Sequence, residues 1–499
     1  MGRSPRGCAH AGLDMSFLSF AYLLFLPVVF AIHWAAPARW RWATLLAASV
    51  WFVASAAPVA LVPLAVATIL AWAAGLALDR RPASGCSRRF SALSVAALLA
   101  ALAVFKYAGF AVDSVAAAAR ACGLSLHPAT FRLALPLGIS FWTFTAVSYL
   151  VDVRRGTVPA ERHLGRFAAY VLFFPKLVSG PIERAGRFLP QIASPAPFSY
   201  ERASRGMRQI ALGLVRKAVV ADFLAPWTDA AFARADRFHG FTLALCALLY
   251  SVQIYNDFAG YSDLAIGSAR LLGIDLADNF RAPVFARSLR EFWSRWHISL
   301  STWFRDYLYI PLGGSRRGAW RTRFNLLATF IASGLWHGAS WTFVVWGAIH
   351  GAAQIVEKSL FPRAGRKDAP PPRPLAAAAG WAATFLVVSA AWVFFRAESA
   401  GAAWAYLAKA GAGLRSPFFG ALKAAEDLHL DAFAIVRAGL PVLALAVWDL
   451  LSLKRDPFAL VDRLPAAARW LLHAVVVAGI LYVLLPQGTS SRDFIYFRF

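Results

Sequence analysis

Apolar runs of membrane-spanning length recur along the chain, separated by short polar and basic segments. Crossing about 30 Å of hydrocarbon takes about 20 apolar residues. The pattern predicts spans near 16–36, 90–111, 133–152, 241–256, 377–395, 437–452 and 467–486, with an apolar stretch at 42–78 broken by Ala57-Pro58 into a helical hairpin. A further apolar stretch at 324–357 predicts a hairpin or a pair of half-helices. Backbone in lipid must satisfy its hydrogen bonds within helices. The expected architecture is therefore an all-α polytopic membrane protein of roughly ten to twelve spanning or half-spanning helices.

Two regions break the pattern. FAAYVLFFPKLVSGPI (167–182) has basic flanks and Pro175 in mid-run, which predicts a re-entrant or interfacial segment. Irregular backbone at membrane depth is tolerated only where protein buries it or it lines a cavity. The basic, proline-rich PRAGRKDAPPPRP (362–374) predicts a short extended cytoplasmic linker. The first fourteen residues, MGRSPRGCAHAGLD, are polar and lack the apolar core of a signal peptide. They are read as a polar extension, with Met15 a second candidate start and residues 15–499 forming one domain.

The stretch EFWSRWHISLSTWFRDYLYIPLGGSRRG (291–318) has a different periodicity. At about 100° per residue from Leu289, the side chains of Phe292, Trp293, Trp296, Leu300, Trp303 and Phe304 fall within about 60° of one line. Arg290, Glu291, Ser294, Arg295 and Thr302 point away, which predicts one amphipathic helix. His297 lies at its edge, where an imidazole would be partly desolvated yet could reach a polar space. Such a helix suits the headgroup layer, with its tryptophans at the interface.

Composition and charge narrow the class. The 499 residues are 59% hydrophobic and 15% charged, with a net charge of +25. The basic residues are scattered among loops with no basic tail, a topogenic pattern beside anionic lipid and not that of a nucleic-acid binder. Arg39 and Arg41, then Arg80, Arg81, Arg88 and Arg89, bracket the first hairpin and place both loops inside and the N-terminus outside. Arg154 and Arg155 agree. Nine arginines stand against Glu291 and Asp306 between Arg281 and Arg323. A cationic rim that includes Arg295, Arg316 and Arg317 would attract a polyanionic, nucleotide-linked acyl donor. Cys8, Cys86, Cys122 and Cys246 lie far apart, with neither a disulfide nor a zinc spacing.

The candidate chemistry rests on histidines. IASGLWHGASWTFVVWGAIHG (331–351) carries His337 after an apolar run, and Gly334 with Gly338 forms a GxxxG spacing suited to helix packing. An ionisable residue at membrane depth marks a pathway or reaction centre by default. His350 divides evenly between function and packing. The chain has no HxxxH, HExxH or Cys/His cluster for a metal, and no GxSxG elbow for a serine nucleophile. A neutral imidazole, with an unperturbed pKa near 6.5, suits general-base work on a hydroxyl that attacks an activated acyl group.

NDFAGYSDLAIG (256–267), FWSRWHISLSTWFRDYLYIPLGG (292–314), SGLWHGASW (333–341), WGAIHG (346–351), WVFFRAES (392–399) and the terminal DFIYF (493–497) resemble the membrane-bound O-acyltransferase family, and within it the alginate O-acetylase branch. LPLGISFWTFTAVSYLVDVRRG, FFPKLVSGPIERAGRF and MSFLSFAYLLFLPVVF fit the same branch, so the resemblance covers about residues 15–499. It implies a ring of membrane helices around a thinner centre, with a tunnel joining the two faces in a bacterial inner membrane. His337 would be the catalytic histidine and His297 its partner. Trp296, Trp336, Asp306, Asn256 and Asp257, which stand in the same motifs, would line or support the tunnel. The expected donor is acetyl coenzyme A, a substrate and not a bound cofactor. Separate periplasmic acetyltransferases would complete transfer to an exopolysaccharide. Residues 400–436 match nothing diagnostic, so peptidoglycan or another envelope polymer stays open as acceptor. A transporter or flippase is the rival class. Against it stand the lack of repeat halves and the gathering of polar residues in one central block.

Overall fold

The computed structural model describes residues 15, 17–80, 85–124, 133–361, 373–487 and 495. The polar extension, most of the proline-rich linker and the terminal DFIYF apart from Ile495 lie outside the described residues. Every regular element among the described residues is helical.

The helices of the first half are α1 (Phe20–Ala35), α2 (Arg41–Ala56), α3 (Leu61–Asp79), α4 (Gly85–Ala121) and α5 (Ile139–Arg154). The break between α2 and α3 falls at Pro58, which opens a 3₁₀ turn at Pro58–Ala60 and cannot donate a helical N–H. The expected broken segment is α6 (Leu164–Leu172), the single turn α7 (Phe174–Leu177) and then irregular chain, buried from Ala169 through Glu183. Protein buries this irregular backbone, which meets the condition for its presence at membrane depth. After α8 (Ala185–Ala193) and α9 (Tyr200–Leu214), a π-helical segment at Val215–Ala221 leads into α10 (Asp222–Ala233).

A long central helix, α11 (Gly240–Leu271), packs against α9, α10 and the π segment. Its predicted span, 241–256, extends by fifteen residues because the polar run NDFAGYSD is buried in protein and not in water. The amphipathic stretch is not one helix. It forms α12 (Leu289–Arg295) and α13 (Ile298–Phe304), separated at Trp296 and His297, with His297 in the left-handed conformation at φ 42°. Periodicity is blind to this kink because both short helices bury their aromatic residues in the same core.

The predicted hairpin is α14 (Gly318–His337) and α15 (Trp341–Leu360), which pack closely on each other. Gly334 and Gly338 serve that packing: a Cβ on Gly334 would meet the Phe343 carbonyl, and one on Gly338 would meet the Phe343 ring. The chain continues through α16 (Pro374–Arg396), α17 (Ala400–Gly413), α18 (Pro417–Asp427), α19 (Ala432–Ser452), α20 (Pro457–Asp462) and α21 (Ala466–Gln487). Five of the helical stretches, Pro58–Asp79, Gly85–Ala121, Pro374–Arg396, Ala432–Ser452 and Ala466–Val483, are long and apolar enough to cross a bilayer. Burial in those ranges from 6% to 44%, so much of their surface faces lipid.

Candidate active site

The fold brings His297 and His337 together, with ring centroids 6.5 Å apart. His337 is the last residue of α14, and His297 occupies the kink between α12 and α13. Both are buried, at 5% and 0% exposure. The kink is what swings the His297 ring off the helix edge, where the periodicity placed it, and into the interior. A left-handed φ at a non-glycine residue is uncommon and worth explaining by its surroundings.

Those surroundings fix His297 firmly. Its Nδ1 lies 3.2 Å from Oδ1 of Asn279, itself fully buried. The Ser299 hydroxyl donates to the same oxygen at 2.7 Å, and the Ile298 N–H donates to the Asn279 carbonyl at 2.9 Å. An atom that takes the Ser299 backbone N–H at 3.4 Å as well is the amide oxygen, an acceptor. The His297 contact is therefore Nδ1–H donating, and Nε2 carries the lone pair. Nε2 has no hydrogen-bond partner among the described residues.

Aromatic rings enclose the pair. Trp336 lies 6.0 Å from His297 and 5.0 Å from His337, Phe258 sits edge-on to His297 at 4.7 Å, and Trp346 and Phe395 lie 5.1 and 5.4 Å from His337. Trp296 stacks on Phe292 and packs on Trp392, bordering a narrow crevice with Tyr255 and Val388. Phe141, which packs on Trp336, borders a second narrow gap with Thr145, Lys176 and Ile182.

The remaining expected site residues fall elsewhere. Asp306 is half-exposed and pairs with Arg184 and Arg305 at 3.4 and 2.8 Å. Arg295 pairs with Glu291 at 2.5 Å, whereas Arg316 and Arg317 stand exposed before α14. Asn256 and Asp257 belong to a second buried polar centre on α11. There Lys217 donates to Asp257 at 2.7 Å and to Asp222 at 2.8 Å, and Asp257 also accepts the Ile495 N–H at 3.0 Å. Beside them Arg216 holds Asp449 at 2.5 Å, Asp263 at 3.1 Å and the Asn256 amide oxygen at 3.4 Å, while the Tyr255 hydroxyl donates to Asp449 at 2.7 Å. His350 lies in an aromatic box of Trp293, Trp346, Phe330, Phe292 and Trp392, one ring removed from His337 through Trp346.

Sequence reasoning passed over Asn279 and Ser299, which orient His297, and Lys106 on α4. An isolated charge in the apolar run 90–111 was the available signal for Lys106, since a lysine facing lipid is costly.

A buried imidazole at a helix end, with a second oriented by an amide and both behind aromatic walls, is an arrangement suited to proton transfer. The description "MBOAT, membrane-bound O-acyltransferase family" matches residues 99–397, which include every residue of this centre. The chain is 41% identical over 394 residues to the Azotobacter vinelandii protein named "Probable alginate O-acetylase", covering 78% of this chain and 77% of that one. The Pseudomonas aeruginosa protein of the same name is 39% identical over 392 residues, 78% of this chain and 74% of that one. A peptidoglycan O-acetyltransferase of Helicobacter pylori is 35% identical over 299 residues, 55% of this chain and 56% of that one. The chain belongs to the membrane-bound O-acyltransferase family and is an acyltransferase, which sets the transporter reading aside.

Proposed function

We propose that the protein passes an acetyl group from acetyl coenzyme A in the cytoplasm across the bacterial inner membrane, for O-acetylation of an alginate-type exopolysaccharide. The observation that carries this reading is the meeting of His297 and His337, 6.5 Å apart, inside the segment that matches the family. Similarity to alginate O-acetylases over more than three quarters of the chain supports the acceptor class. The Helicobacter pylori relative supports peptidoglycan as the second reading.

In this reading His337 takes the proton of an acceptor hydroxyl as its oxygen attacks the thioester carbonyl. The tetrahedral oxyanion collapses, the C–S bond breaks, and the coenzyme A thiolate leaves and takes up the proton. His297, held by Asn279, offers its Nε2 lone pair to the same space. A ring of ten to twelve membrane-embedded helices surrounds the pair, with the N-terminus outside and the basic loops inside. A tunnel past His337 requires the aromatic walls around the pair to part. The exposed Arg316 and Arg317 gather the polyanionic donor, and separate periplasmic proteins complete transfer to the polymer.

The test is directional. Acetyl coenzyme A added to sealed inside-out vesicles should acetylate a lumenal acceptor, and the same donor added to right-side-out vesicles should not. Equal activity in both orientations would refute vectorial transfer.

A further inference from the structure

The last turn of a helix leaves its carbonyls without intrahelical partners. At the end of α14 the Gly338 N–H returns to Gly334, and the Leu335, Trp336 and His337 carbonyls are left over. Two consecutive side chains of α4 take all three. The Tyr107 hydroxyl donates to Leu335 at 2.7 Å, and the Lys106 ammonium donates to Trp336 and, at 3.3 Å, to His337. The ammonium also lies 3.5 Å from the Ser140 hydroxyl on α5 and 5.8 Å from the centre of the Trp336 ring.

Helix α4 has little other reason to carry these groups. It is 37 residues long, apolar and only 11% buried over its most apolar window. One turn further on, Phe110 packs against Trp341, and Ser114 accepts from the Trp341 indole N–H at 3.2 Å. Lys106, Tyr107 and Ser114 of this helix thus converge on the corner between α14 and α15. A cation is also favoured at a helix C-terminus by the macrodipole, and here that terminus is the residue bearing the imidazole.

We propose that Lys106 is a positioning residue for acyl transfer, with Tyr107 as its auxiliary. By tying the terminal carbonyls of α14 to α4, it fixes the backbone of His337, and so the direction of the ring, against His297. This rests on His337 being the base proposed above. Lys106 acts through the carbonyls at the end of α14, so its loss should act on turnover and not on donor capture.

The experiment compares Lys106→Met, Lys106→Arg, Tyr107→Phe and His337→Ala as full-length protein in detergent, with thiol release from acetyl coenzyme A scaled to folded molecules. Lys106→Met should lose about 10- to 100-fold in kcat at unchanged donor KM, because a misplacement of about 1 Å can cost about 10²-fold. Lys106→Arg, which can still donate to the carbonyls, should recover most of that loss, and Tyr107→Phe should lose about threefold. If His337→Ala is silent while Lys106→Met turns over like wild type per folded molecule, the positioning role alone falls. If His337→Ala keeps its turnover, the base assignment falls and the positioning role with it. Should Lys106→Met fold too poorly to assay, Lys106→Arg and Tyr107→Phe decide: wild-type kcat in both, with reduced folded yield, would make the contact merely structural and overturn the proposal.

Discussion

The protein holds two buried polar centres, and they are built on opposite terms. Around Arg216 and Lys217 each cation meets two carboxylates, and a tyrosine hydroxyl and a backbone N–H fill further acceptor positions. The His297–His337 centre is walled by tryptophan and phenylalanine. Breaking a buried ion pair leaves an uncompensated charge, so the first centre resists change and ties α11 to the π segment, α19 and Ile495. Imidazoles behind aromatic rings need no such pairing, and the Nε2 of His297 has no hydrogen-bond partner among the described residues. A buried charge that is fully paired therefore points to architecture, and an imidazole nitrogen held open inside the family's segment points to function.

Substitutions in each centre test this contrast. His337→Ala should have the largest effect, abolishing polymer acetylation in cells while the protein stays in the membrane, since positioned acid–base catalysis supplies about 10²–10⁴-fold. Retained acetylation would remove the functional half of the contrast. Asp257→Ala should cost about 1–3 kcal/mol of stability, since Lys217 keeps Asp222 but loses one charge-assisted bond and the Ile495 N–H loses its acceptor, read as early thermal unfolding in detergent. An unfolding temperature equal to wild type would show that the ion-pair centre is not architectural.

Asn279→Ala, which removes the acceptor that sets the His297 tautomer, should lower kcat by about tenfold or more without loss of folded protein. Asn279→Asp keeps an acceptor oxygen and should lose less. If both variants turn over normally, His297 is held by packing alone. The smallest effect is expected from the paired neutralisation of Arg316 and Arg317. It should raise donor KM a few-fold at low salt and much less at high salt, where screening already masks the field. Normal kinetics with altered insertion would make these arginines topogenic.

How much of this was legible in the sequence depended on whether the cause was local. The break at Pro58, the interrupted segment at 164–177, the α14–α15 pair and the placing of His337 at a helix end all follow from nearby residues. The kink at His297 does not, because its cause is Asn279, 18 residues upstream, holding both the ring and the next turn. Lys106 stands out as an isolated charge in an apolar run, but its role does not, because the carbonyls it serves lie about 230 residues away. Arg216 and Lys217 sit in a stretch with no long apolar run, and the π-helical segment that buries them is explained only by distant acids such as Asp449. Asn256 and Asp257 stand in a motif of the family and so were expected to line or support the tunnel. Their partners place them in the ion-pair centre, one helix face away from Phe258, which does reach His297.

The most direct test pairs one variant from each centre in a single assay. Purified His337→Ala and Asp257→Asn would be compared with wild type for thiol release from acetyl coenzyme A per folded molecule, alongside thermal unfolding of each. The account predicts that His337→Ala unfolds near the wild-type temperature and is silent, whereas Asp257→Asn unfolds early but turns over at close to the wild-type rate while folded. An active His337→Ala, or an Asp257→Asn that is stable and silent, would contradict it.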